Sequence, residues 1–318
     1  MSRMEIHDTT RSLRVNPVTI LQENIPTVVV ARNPYARLFS AYIDKVYLPL
    51  FWEQFSSMNG TKTLPWINKT ATREFLRHMP GPIAGRLLRY KDQLIAQGLI
   101  VHRNVTVRIQ PVCANNATFG DFLTFIVNLV KLNVPLETHW APISHLCRPC
   151  RMNTFKVVKQ ESFAADVEYT LNSVGLNISN YEWLRSSLNE KLVENTVPGI
   201  VAVVDSRLKL NHIKICINDS ETAKRLWKTF QIQGFISDKS EVPKRFNEVD
   251  FVFNATDVTN DVLDAVRTLP LSTTESQRQR RRYLVNAFKE VSERTLEAIL
   301  NIYRLDFNLF GYPTKPPT

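Results

Sequence analysis

The segment from Thr27 to Trp52, TVVVARNPYARLFSAYIDKVYLPLFW, constrains the fold of this chain most, because it reads as a strand, a sharp turn and an amphipathic helix in immediate succession. Thr27, Val28, Val29 and Val30 are a short β-branched run bounded by Pro26 and by Arg32-Asn33-Pro34. Such a run predicts a strand buried on both faces. Pro34 suits the first turn of a helix, where its missing N–H removes no hydrogen bond. After it, Tyr35, Leu38, Phe39, Tyr42 and Val46 form an apolar stripe at helical spacing, while Arg37, Ser40 and Asp44 fall on another face. Where a parallel strand leads into a helix, α/β folds bind phosphates, since free N–H groups and the helix dipole favour anions. Arg32 adds a positive fork at that joint. On the residues alone, Arg32 and Arg37 serve equally well as surface charges beside a core strand.

The spacing Arg32-x-Pro34-x-x-Arg37-Leu38-x-Ser40-Ala41-Tyr42-x-x-Lys45 closely resembles the 3'-phosphate-binding segment of the Golgi carbohydrate sulfotransferases. Within them it is most similar to the enzymes that sulfate chondroitin, dermatan and the terminal sugars of glycoproteins. The resemblance implies that Arg32 and Ser40 hold the 3'-phosphate of the donor 3'-phosphoadenosine-5'-phosphosulfate. The chemistry suits the residues, because a guanidinium grips phosphate through two hydrogen bonds and a hydroxyl donates a third.

A second informative stretch follows a helix expected over Thr118 to Asn133, whose Thr-x-x-Asp start is of capping-box type. It runs from Glu137-Thr138-His139-Trp140-Ala141-Pro142 through Leu146-Cys147-Arg148-Pro149-Cys150. His139, His145, Cys147 and Cys150 are zinc-ligand types, but one Cys-x-x-Cys with histidines at irregular offsets is an incomplete pattern. A redox pair would need a cysteine at a helix start in a strand-loop-helix context, which is not evident. A structural disulfide is the plainer reading. The sulfotransferases named above carry H-W-x-P, then L-C-x-P-C, then a strand ending in Lys-x-Glu and a helix. This chain matches in order and spacing: His139-Trp140-x-Pro142, Leu146 to Cys150, Phe155 to Lys159 with Glu161, and a helix from Ser162 to Ser173 ending near Gly175. It departs at Thr138, where relatives more often have an acidic residue directly before the His.

With 318 residues and 44% hydrophobic content the chain can bury a substantial core. Its net charge of +10 points to a polyanionic partner. Charge alone does not choose among nucleic acid, an anionic membrane and a sulfated or uronate-bearing polysaccharide; the resemblance selects the glycan acceptor and no nucleic acid. No signal peptide or run of about twenty apolar residues is visible. Seven N-x-S/T sequons, at Asn59, Asn68, Asn104, Asn116, Asn177, Asn218 and Asn254, exceed the about three expected by chance and favour secretory-pathway ancestry. Cys113, Cys147, Cys150 and Cys216 allow two disulfides in a lumenal protein, or free thiols or metal ligands in the cytosol.

Short helices are expected early in residues 1–26, around Thr72 to Met79 and over Arg86 to Gly98. Within 176–280, Val197 to Val204 is an apolar run, Thr222 to Phe230 reads as helix and Val249 to Phe253 as a short strand. The cluster Arg278, Arg280, Arg281 and Arg282 reads as a solvated helix start, and Arg281 to Asn301 as one long amphipathic helix. Tyr303-x-x-Asp306-Phe307-x-x-Phe310-x-Tyr312 resembles the closing segment of the same sulfotransferases and is expected to serve packing.

The resemblance therefore implies an α/β fold, a central parallel sheet flanked by helices, akin to nucleotide kinases. It divides the chain into a sulfotransferase core over 1–175, a divergent elaboration over 176–280, the returning closing part of the core over 281–312 and a disordered Pro-rich tail over 313–318. The implied reaction moves sulfate from the donor to a hydroxyl of a glycosaminoglycan or glycoprotein glycan, without a metal, in the lumen of the Golgi, on a type II membrane anchor that this chain does not show. His139 is the candidate base, because a neutral imidazole accepts a proton near neutral pH. Relatives also have an upstream Pro-Lys-x-x-x-Thr loop for the 5'-phosphosulfate, whereas no Lys precedes Arg32 here. The chain is therefore expected to be N-terminally truncated and inactive by itself, or else a non-catalytic glycan-binding relative.

Overall fold

A computed structural model describes residues 27–50, 52, 114, 116–131, 133–149, 155–175 and 193–318. The helices expected in 1–26, at Thr72 to Met79 and at Arg86 to Gly98 lie outside them. The Val-rich run forms strand β1, Val28–Ala31. Strand β2, Lys156–Lys159, lies parallel to it, with Val28 opposite Lys156 and Ala31 opposite Lys159. Among the described residues the sheet has these two strands and the other elements are helical.

Burial on β1 alternates. Val29 and Ala31 are 2% and 0% exposed, whereas Val28 and Val30 are 44% and 53% exposed, so the expectation of two covered faces is corrected to one. Valine suits a pleated strand whether its face is covered or open, so a run of valines does not report how many faces are buried. The covered face packs on Ile143 and Phe310, with Val157, Leu309 and Tyr312 beside them.

Helix α1, Pro34–Tyr42, follows at once and widens into a π-helical turn over Ile43–Tyr47. Pro34 sits at its start, and the Asn33 side chain caps it by accepting the N–H groups of Tyr35 and Ala36 at 2.9 and 3.2 Å. Helix α2, Phe119–Lys131, begins as its sequence indicates: Thr118 Oγ1 accepts the Asp121 N–H, and the Asp121 carboxylate accepts the Thr118 N–H. Phe122, Leu123 and Ile126 on α2 are fully buried. The one-turn-and-a-half helix α3, Ile143–Cys147, precedes β2, and α4, Phe163–Ser173, follows it.

The rest is a helical layer. The apolar run at Val197 lies inside α5, Val193–Leu208, where Val197, Val201, Val204 and Leu208 are buried at helical spacing. Helix α6 is Asp219–Ile232, α7 is Ala255–Thr268, α8 is Thr273–Lys289 and α9 is Glu293–Leu309. Tyr35 on α1 joins this layer to the site, its ring 5.1 Å from Phe288 of α8 and 4.9 Å from Phe307 of α9.

Four sequence expectations need correction here. Val249 to Phe253 is not a strand: Val249 and Val252 are exposed, and the Phe253 N–H is taken by the Asp219 carboxylate at 2.8 Å instead of a neighbouring strand. Arg281 to Asn301 is not one helix, because the chain turns at 290–292, where Val291 is buried and Ser292 caps α9 by accepting the Thr295 N–H. The arginine cluster does not open a helix either, since α8 begins eight residues before Arg281 with a capping box between Ser272 and Glu275. Finally, the tail is not loose at its start: the Tyr35 hydroxyl donates to the Thr314 carbonyl at 2.7 Å.

Candidate functional site

Because β1 and β2 are parallel and end in register, Arg32 and the 160–162 turn emerge at the same edge of the sheet. Glu161 joins the two: one carboxylate oxygen accepts the Asn33 N–H at 2.9 Å and the other accepts the Tyr312 hydroxyl at 2.8 Å. The Lys159 ammonium lies 4.9 Å from the centre of the Tyr312 ring. Tyr312 is delivered by a turn at Gly311, whose φ of +62° is left-handed. Arg32 is sunk in this corner. Burial, then the charge of Arg280, lower its pKa to about 10; Glu161 pulls the other way, and Arg37 adds a smaller repulsion. It stays charged at neutral pH, crowded by like charge and short of water, which is the condition in which a phosphate dianion is welcome.

Arg280 comes from α8, and its approach depends on a glycine. Gln279 Nε2 donates to the carbonyls of Gln231 and Ile236 at 2.6 and 2.9 Å, and Ser276 Oγ donates to the Gly234 carbonyl at 2.8 Å. Gly234 has a φ of +67°, and a Cβ there would stand 2.6 Å from Ser276 Oγ, 2.8 Å from its carbonyl oxygen and 3.1 Å from Arg280 Cγ. Arg280 is half-buried, with burial lowering its pKa, while Arg278, Arg281 and Arg282 are exposed. Three arginines of the cluster thus suit the solvated reading; Arg280 does not, and sequence reasoning missed it because all four look alike in a row.

The helix N-terminus itself is not open. Pro34 has no N–H, Tyr35 and Ala36 donate to the Asn33 side chain, and Arg37 donates to the Asn33 carbonyl at 2.9 Å. An anion at this joint would therefore meet side chains, not free N–H groups. Ser40 lies in the second turn of α1, eight residues after Arg32 in sequence, and is half-buried.

Arg37 is not a surface charge. Its guanidinium donates to the Thr138 carbonyl at 2.7 Å and to the Ala141 carbonyl, and burial lowers its pKa. From the other side, the Tyr303 hydroxyl donates to the Trp140 carbonyl, and Asp306 accepts the N–H groups of Ile143 and Ser144 at 2.7 and 2.8 Å, capping α3. The closing segment does more than pack, then: Tyr303 and Asp306, one turn apart on α9, fix the loop that carries His139. On that loop both oxygens of Glu137 lie 2.8 Å from His139 Nδ1. Glu137 also accepts the His139 N–H at 2.7 Å and the Thr138 hydroxyl at 2.9 Å. Burial alone would raise the Glu137 pKa, but hydrogen bonds and charge from His139 outweigh it and leave it lowered.

A family model described as the sulfotransferase family matches residues 2–231, more than half of the chain. The chain belongs to the sulfotransferase family. No curated protein and no solved structure matches it. The match spans both strands, α1, the His139 loop and the first part of the region that read as a divergent elaboration. Arg280, Tyr303, Asp306 and Tyr312 lie beyond it, yet pack onto the matched part.

Other candidate positions fare differently. Cys216 is disulfide-bonded, whereas Cys147 is a free, exposed thiol at the end of α3. Cys147 is thereby removed from the disulfide candidates; Cys113 and Cys150 lie outside the described residues. Among the described residues no three His, Cys, Asp or Glu side chains cluster as metal ligands, and no helix is long and apolar enough to cross a membrane. Of the sequons, Asn116, Asn218 and Asn254 are described and exposed. Asn218 and Asn254 cap α6 and α7, each side chain accepting N–H groups of the first turn. A helix cap is thus a second reason for an Asn at those two positions. Asn59, Asn68, Asn104 and Asn177 lie outside the described residues.

Proposed function

We propose that the protein is a carbohydrate sulfotransferase in which Arg32 and Ser40 hold the 3'-phosphate of 3'-phosphoadenosine-5'-phosphosulfate and His139 accepts the proton of the acceptor hydroxyl. The observation that carries this reading is the corner at the carboxyl ends of β1 and β2, where buried Arg32 feels the charges of Arg280 and Glu161, Lys159 lies over the Tyr312 ring, and Asp166 accepts the Lys159 N–H. The excess of positive charge over negative there fits a phosphate group, and parallel-strand ends are where nucleotide ligands bind in α/β folds. The architecture proposed around it is a central parallel sheet, flanked by helices, to which β1 and β2 contribute.

In the reaction, the sugar oxygen attacks sulfur as its proton passes to His139. A new O–S bond forms, the bond between sulfur and the 5'-phosphate oxygen breaks, and its electron pair leaves on adenosine 3',5'-bisphosphate. Transfers of this kind depend on positioned oxygens, neutralised charge and a base for the attacking hydroxyl. The residues described here bear on the first and last of these needs. Arg32 orients the leaving group through its remote phosphate, and the clamp of Arg37 and Tyr303 holds the base loop still. A polyanionic glycan as acceptor accords with the net charge of +10. The disulfide at Cys216 accords with an oxidising lumen such as the Golgi.

The test is transfer of labelled sulfate from the donor onto a panel of desulfated polysaccharides, using the full natural protein made in a secretory host. Incorporation into at least one glycan, lost in Arg32→Ala, is the expected result. Binding of the bisphosphate without incorporation into any glycan would replace the enzyme with a glycan-binding relative.

A further inference from the structure

We propose that Glu137 is the positioning residue for His139: its carboxylate holds the ring in the Nδ1–H tautomer and so puts the lone pair on Nε2, the nitrogen that receives the acceptor proton. This rests on the reading of His139 as proton acceptor. The geometry gives the direction of the bond. An ionised carboxylate only accepts, so the nitrogen 2.8 Å from both of its oxygens must be the donor. A ring that donates from Nδ1 carries its lone pair on the other nitrogen when neutral.

The surroundings suit the role. The Glu137 side chain is 14% exposed and the His139 side chain 41% exposed, so a covered acid holds a ring that substrate can reach. Arg37 and Tyr303 grip the carbonyls of residues 138, 140 and 141, which fixes the backbone on both sides of the ring-bearing residue. When the proton arrives on Nε2, the imidazolium lies against a carboxylate that is already charged, and the positive charge is offset where it forms. Arg37 also feels the charge of Glu137, and its guanidinium donates to backbone carbonyls.

Glu137 also resolves the departure at Thr138. The residue directly before His139 is a threonine, and its hydroxyl donates to Glu137 instead of touching the ring. The acid stands one position earlier, and the turn brings it back because it also accepts the His139 N–H. A purely structural Glu137 would serve that turn alone.

The experiment separates the two. Two-bond nitrogen–proton correlation spectra of ¹⁵N-labelled protein, at alkaline pH where imidazoles are neutral, read the tautomer of His139 directly. Wild type is expected to show the Nδ1–H form alone, and Glu137→Ala a mixture dominated by the Nε2–H form that unrestrained imidazole favours. Glu137→Gln keeps the shape of the turn and offers both a donor and an acceptor, so it gives a mixture too, which covers the case of an alanine variant that does not fold. In sulfate transfer, Glu137→Gln is expected to lower kcat by about 10- to 100-fold with the acceptor KM little changed, the scale seen when the carboxylate partner of a metal-bound His is removed. A single Nδ1–H tautomer persisting in both variants would overturn the proposal. Tautomer change in the variants, with no transfer by wild type, would leave the carboxylate assignment standing and sink the reading of His139 as base.

Discussion

Arg32 sits in a place that costs the folded state and suits an anion. Its charge is desolvated and repelled by Arg280, a penalty on the order of 3 kcal/mol for a pKa near 10. Replacing it by an apolar residue of similar reach should therefore stabilise the fold while removing the anion grip. Arg32→Met is expected to raise the melting temperature in phosphate-free buffer and to abolish the further rise that wild type shows with adenosine 3',5'-bisphosphate; calorimetric melting checks both. Asp306 is the opposite case, a carboxylate buried to 1% exposure with two N–H groups as partners. Asp306→Ala leaves both N–H groups unpaired beside Arg37 and should destabilise by about 2–4 kcal/mol in denaturant titration. Glu137 sets a pH dependence. Its folded pKa is lowered, so the unfolded chain binds the extra proton, and its contribution to stability is present above the unfolded value of about 4.5 and lost as pH falls through the folded one. Melting curves of wild type and Glu137→Gln should differ at pH 7 and converge in acid.

At the scale of elements, local signals were legible and corners were not. Asn33-Pro34 announced α1, Thr118-x-x-Asp121 announced α2, and Gly175, with its φ of +80°, marked the end of α4. Each works through atoms a few residues apart. The break between α8 and α9 escaped notice because the apolar stripe resumes after the turn, so the pattern alone does not show that the chain has changed direction. The same locality hid Arg280, whose meaning depends on the turn at Gly234 and on α8 docking against it. Arg32 and Ser40 were read from one continuous segment, whereas Arg37, Tyr303 and Asp306 act across residues far apart in sequence. Gly234 tests the docking. Gly234→Ala strains a left-handed residue and drives a methyl into the Ser276 backbone, so it should cost about 1–3 kcal/mol or more in stability and weaken bisphosphate binding by displacing Arg280. Unchanged stability and affinity in that variant would mean that α8 is not held there.

For the whole molecule, parallel strand ends, a C-terminal helix pair and a long-range clamp meet at one corner of a chain that belongs to the sulfotransferase family. On the proposed reading, a net charge of +10 makes association with a polyanionic acceptor fall with added salt. The most direct measurement is narrower. Isothermal calorimetry of adenosine 3',5'-bisphosphate against wild type and Arg32→Ala asks whether this corner is the 3'-phosphate site. A loss of about 1.5–3 kcal/mol, the range of a hydrogen bond to a charged group, with a smaller loss in Ser40→Ala, is the predicted result. Equal affinity of wild type and Arg32→Ala would contradict it.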